Sequence, residues 1–91
     1  MANKRNLKRG ITYVCSEMFA ESIATALYSN NSDKANLDAL LKSILTTHSD
    51  YIRRVSHPEP GMKPKKYYQV LKESFTNDIN GMVDAIGNLH A

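Results

Sequence analysis

The sequence predicts an all-α fold, an antiparallel up-down-up three-helix bundle of long helices in a single domain over residues 1–91. Three observations predict it. Large apolar residues recur every three or four positions in three long stretches, the spacing that aligns one face of a helix. Two short breaks rich in turn-forming residues separate the stretches, and short connections make neighbouring helices antiparallel. The chain is 42% hydrophobic and 23% charged, which suits a globular domain rather than a disordered one.

The first helix is expected over about 6–28. Leu7, Ile11, Val14, Cys15 and Met18 begin its stripe, and Phe19, Ile23 and Leu27 continue it at steps of four. A step of four overshoots one turn by about 40°, so the apolar surface drifts around the axis and becomes broader than one stripe requires. Gly10 disfavours a helix interior by about 1 kcal/mol, so the helix is expected to fray at its start or begin later. The run Ser29-Asn30-Asn31-Ser32-Asp33 reads as a turn. Asn30 or Asn31 suits a left-handed helix end, and Ser32 or Asp33 suits the next N-cap.

The second helix, expected over 33–57, is the cleanest amphipathic element and the one the others pack on. Leu37, Leu41, Ile44, His48, Tyr51 and Val55 form its stripe, widened by Leu40, Leu45 and Ile52. Pro58 ends it, because the residue before a proline avoids helical geometry. Residues 57–64 hold three prolines and one glycine, a stiff loop. Pro64 suits the first position of the third helix, expected over 64–88. Its stripe is Tyr68, Leu71, Phe75, Ile79, Met82, Val83, Ile86 and Leu89.

Catalytic and metal chemistry find little support. The antiparallel first hairpin sets Cys15 level with His48, and a thiol beside an imidazole is the pairing of a nucleophile and its base. A lone cysteine more often acts as a small buried hydrophobe, and no phosphate loop, HExxH or GxSxG accompanies it. Glu17 and Glu21 share a helix face but read as solvated, since no Glu-x-x-His motif completes a metal cage. The Pro58–Pro60 segment lacks PxxP, so it is a weak ligand for proline-reading domains. No catalytic residue, metal or cofactor is expected, and the chain is read as a non-enzyme. One cysteine permits no internal disulfide. With no signal-peptide pattern and no membrane span, the expected location is cytoplasmic.

Two surfaces remain. The broad face of the first helix, with the thin core, points to a homo-oligomer or another protein partner. Tyr13, Phe19, Ile23, Leu27, Tyr67 and Val70 are its expected interface residues. The second surface is electrostatic. An up-down-up bundle gathers Lys4, Arg5, Lys8 and Arg9, then Arg53 and Arg54, then Lys63, Lys65 and Lys66 at one pole. Those nine cations face only Asp50 and Glu59, giving +7 at the pole and −4 elsewhere for a net +3. Two of the clusters sit at helix N-termini, where the helix dipole disfavours cations and free N–H groups favour anions. The polyanions that suit such a pole are nucleic acid, an acidic or phosphorylated protein, or an anionic membrane surface. Nucleic acid would be bound without sequence preference, since no base-reading motif is present.

Overall fold

The protein is described by a computed structural model covering residues 4–28 and 34–89. Three helices make up almost all of it: α1 (Lys4–Tyr28), α2 (Lys34–Ser56) and α3 (Pro64–Asn88). No strand occurs among the described residues. The turn and capping roles expected for residues 29–33 lie outside them. α1 starts at Lys4 and runs through Gly10 without interruption, so the expected late start does not occur. Gly10 lies on the exposed side.

The helices pack as an up-down-up bundle. Thr12 on α1 hydrogen-bonds His48 on α2 across 2.9 Å, which fixes the first antiparallel register. α3 runs antiparallel to α2 over its full length. At one end the phenols of Tyr67 and Tyr68 donate to the carbonyls of Arg54 (2.9 Å) and Val55 (3.1 Å). Near the middle Tyr51 bonds Ser74 and Asp78. At the other end Leu40 lies beside Ala85 and Leu89. The result is long and thin, 48 × 19 × 16 Å between Cα extremes.

The tyrosine bonds have a clear cause. The last carbonyls of a helix have no partner within it. α2 ends at a proline-rich loop, and α3 brings two phenols to those carbonyls. Tyr67 also reaches the His57 carbonyl at 3.4 Å. Within the loop, the Met62 N–H donates to the Glu59 carbonyl at 3.2 Å and closes a turn. Pro64 stands at the start of α3, where its fixed φ is already helical and its missing N–H is not needed.

Leu40, Ile44, Tyr51 and Val55 of α2 form the middle of the core. α1 contributes Ile11 and Cys15, while α3 contributes Leu71, Met82, Ile86 and Leu89. Three expectations need correction. In the second half of α1 the buried positions are Ser22 and Thr25, whereas Ile23 and Leu27 are exposed. Burial follows the true helical period through 11, 15, 18, 22 and 25. Phe19 lies about 80° off that line, and steps of four carry Leu27 to about 160° from it. The buried Ser22 hydroxyl donates to the Met18 carbonyl at 2.7 Å, so its desolvation is compensated within the helix. Leu45 and Val83, placed on core stripes above, are 57% and 50% exposed. Each follows the true core residue, Ile44 or Met82, by one position, a rotation of about 100° away from the core.

Candidate functional site

The six expected interface residues do not form one surface. Tyr67 is half-buried, packs against the core and bonds the end of α2, so it is a structural clamp and not an exposed contact. Val70 lies among Lys63, Lys65, Lys66 and Glu73 at the start of α3. Tyr13 is 65% exposed and is not among the residues that line the α1–α2 groove described next.

Phe19 and Ile23 do belong together. They line an open groove between α1 and α2, on the side away from α3, with Thr12, Cys15, Ser16, Ala20, Leu45 and His48. No Asp, Glu, Lys or Arg contributes to this lining. Leu27 lies one turn beyond Ile23 on the same side of α1. The groove exists because of the mismatch in α1. The helix turns Ser22 and Thr25 to the core, which leaves the displaced apolar residues facing outward beside α2. Leu45 completes the groove from the other helix. The sequence carried the signal for it: Leu45 sits at the edge of a stripe too wide for one partner.

The groove also contains the two residues weighed as a catalytic pair. Cys15 is buried, and burial raises its thiol above the ordinary value. A nucleophilic cysteine needs the opposite shift. The His48 Nε2 is engaged with the Thr12 hydroxyl rather than held for a substrate. These residues close the groove floor and join two helices. Native Cys15 is therefore expected to react with iodoacetamide at neutral pH at least tenfold more slowly than the same thiol in urea. Equal rates, followed by mass spectrometry, would contradict that.

The basic pole assembles as the topology requires. The bonds from Tyr67 and Tyr68 set the start of α3 against the end of α2, and the Thr12–His48 register brings the start of α1 to the same end. Of the nine cations, Lys8 is half-buried and the other eight are exposed. They are not equivalent. Arg54 is held by Asp50, with 2.9 Å between nitrogen and oxygen, and its guanidinium carbon sits 4.9 Å from the centre of the Tyr51 ring. Arg53, one position earlier, is exposed and lines a shallow surface depression with Asp50, Tyr51 and Asp78. Neither α1 nor α3 carries an acidic residue in its first turn, and Lys63 makes no side-chain cap at the start of α3.

A polar cluster on the α2–α3 side was not read from the sequence. The Tyr51 phenol donates to Asp78 Oδ2 at 2.6 Å. Because the phenol has one proton, the Ser74 hydroxyl is the donor in its 2.7 Å bond to the same oxygen. The Tyr51 ring meets Phe75 edge-on, 5.1 Å between centres at 69°. Burial, and then the bond to Asp78, push the Tyr51 phenol above its ordinary value.

Among the described residues, no three His, Cys, Asp or Glu side chains gather as a metal site, and no helix is long and apolar enough to cross a membrane. Glu17 and Glu21 are exposed. Comparison of the chain with protein-family models, with curated proteins and with solved structures finds no match.

Proposed function

We propose that this chain is a small non-enzymatic interaction module that self-associates through the α1–α2 groove. The observation that carries the proposal is the groove itself, a depression without charged lining in which Ile23 and Leu45 stay exposed beside a half-buried Phe19. The chain exposes enough surface for a partner of this kind. The chain exposes 6426 Å². A monomeric protein of 10.2 kDa is expected to expose about 5300 Å². The difference of about 1100 Å² is comparable to the roughly 800 Å² that one partner contributes to a stable interface. The lone buried thiol suits a reducing compartment, in keeping with a cytoplasmic module. Sedimentation equilibrium at micromolar concentration is the test. A species of twice the 10.2 kDa chain mass is expected, and a monomer throughout the range would overturn the proposal.

A second reading, polyanion binding at the basic pole, is favoured by the meeting of three helix ends that carry almost no compensating acid. Its contacts are refined by the held geometry of Arg54. Arg53, Lys65 and Lys66 are the freer cations, so they should dominate any binding. Affinity for a labelled random DNA duplex, read by anisotropy, is expected to fall at least tenfold between about 50 and 200 mM salt. Arg53→Ala should weaken it more than Arg54→Ala. Absence of binding at the lower salt would remove nucleic acid as the partner.

A further inference from the structure

We infer that two copies pair end for end, their α1–α2 grooves face to face about a two-fold axis perpendicular to the helices. The inference rests on the self-association proposed above and adds the identity and orientation of the occupant. Two observations carry it: where the groove lies along the molecule, and how charge is divided along the same axis.

The groove sits at mid-height. Ser16 is the central residue of α1 and Leu45 the central residue of α2, and both line it. A two-fold axis through that point, perpendicular to the helices, overlays the two molecules along their whole length. An off-centre groove would leave both tips overhanging. About this axis α1 faces the α1 of the second copy in antiparallel sense, Ser16 meets its own equivalent, and Thr12 comes level with Ala20. The small side chains Ser16 and Ala20 permit close approach, while Phe19, Ile23 and Leu45 fill the space between the four helices. Interfaces of this kind are isologous, each contact occurring twice.

A second two-fold arrangement also brings groove to groove, with the axis parallel to the helices. It would place like ends together, and the charge distribution opposes it. Divided at the helix midpoints, the half of the chain with the basic pole has ten cations and three acids, Asp50, Glu59 and Glu73. The other half has two cations, Lys34 and Lys42, against six acids, among them Glu17, Glu21, Asp38, Asp78 and Asp84. The halves therefore carry +7 and −4. Head-to-head pairing sets +7 beside +7 and −4 beside −4. End-for-end pairing sets +7 beside −4 twice. The Debye length is about 8 Å at physiological salt, so charges on adjoining surfaces still feel one another while the far ends do not. Complementarity of this sort fixes orientation more than strength.

The orientation is measured by spin labelling. Tyr28 is 87% exposed and lies in the last turn of α1, so Tyr28→Cys in a Cys15→Ala background carries one label at the far tip without altering charge. The label is twelve residues from Ser16, so end-for-end pairing separates the two labels by about 36 Å along the axis. Head-to-head pairing puts them at one height, separated only by the bundle width, under about 20 Å. Pulsed electron–electron resonance is expected to give the longer distance, and the signal should vanish in the Leu45→Glu variant. A short distance with the mass still doubled would overturn the orientation while leaving self-association in place. A monomer mass with no intermolecular coupling would overturn both. A long distance that survives Leu45→Glu would show that another face pairs, and would overturn the groove assignment.

Discussion

Tyr51→Ala is expected to lower the melting temperature by about 12 °C or more. Tyr51 is 1% exposed and is the largest side chain buried to that degree. At the middle of the α2–α3 contact it meets the edge of Phe75, the Ser74 hydroxyl and the Asp78 carboxylate, and its face meets Arg54 of its own helix. Truncation of a buried aromatic costs about 3–5 kcal/mol through lost burial and the cavity that remains. In so thin a bundle little neighbouring material can collapse into the space. Tyr51→Phe separates the two contributions. It keeps the ring and removes the hydroxyl, for a loss of about 1 kcal/mol, because exposed Asp78 can bond water instead. Thermal unfolding followed by circular dichroism at 222 nm would decide, and an alanine variant as stable as the phenylalanine one would contradict this account of the ring.

The same residue sets an alkaline limit. The folded-state phenol titrates above its ordinary value of 10.0, so as pH rises past that value the unfolded chain loses its proton first. Stability is present in full below pH 10 and falls as pH climbs toward the folded value. Cys15 behaves in the same sense from its ordinary value of 9.0. Tyr51→Phe should therefore flatten the upper part of the alkaline decline and leave the part that begins near pH 9.

Leu45→Glu is expected to convert the assembled protein to monomer with little change in helicity. At 57% exposure, Leu45 contributes little to the core of its own chain, and glutamate is as good a helix former as leucine to within a few tenths of a kcal/mol. In the end-for-end pair Leu45 lies close to the two-fold axis. The substitution thus removes two apolar contacts and brings two carboxylates together in a desolvated position, which costs several kcal/mol and weakens association a hundredfold or more. Sedimentation equilibrium gives the mass and circular dichroism the helicity. Unchanged association would place the interface elsewhere.

The three helices were legible in the sequence because each carries its own period, and Pro58, Pro60 and Pro64 punctuate the second connection. Helix ends agreed to within one or two residues. The basic pole also followed from connectivity alone, since an up-down-up chain must bring those three ends together. What sequence spacing could not supply was rotation. Ser22 and Thr25 are buried because the neighbouring core residues fix the phase of α1, and two hydroxyl residues at 3.6-residue spacing outcompete two hydrophobes that drift from it. Tyr67 was misplaced for a related reason. Its position on the helix wheel is peripheral, but its length carries the phenol to a carbonyl on another helix. The Tyr51–Ser74–Asp78 bonds join residues remote in sequence and have no local pattern at all.

The phenols at the end of α2 make the two tips of the molecule unequal in how their helices are tied together. At the basic tip, carbonyls that would otherwise face solvent are tied to α3 by Tyr67 and Tyr68. At the far tip α2 and α3 bury Leu40, Met82, Ile86 and Leu89, but α1 presents Ser22 and Thr25, groups that bury little apolar area. Local opening free energies follow buried area and protected hydrogen bonds. The last turns of α1 are therefore expected to open first, which amide hydrogen exchange would report as faster exchange there. The end of α2 and the start of α3 are expected to open later, which amide hydrogen exchange would show as slower exchange there. A polyanion that engages the basic tip would meet two helix ends, those of α2 and α3, already tied to each other by the two phenols.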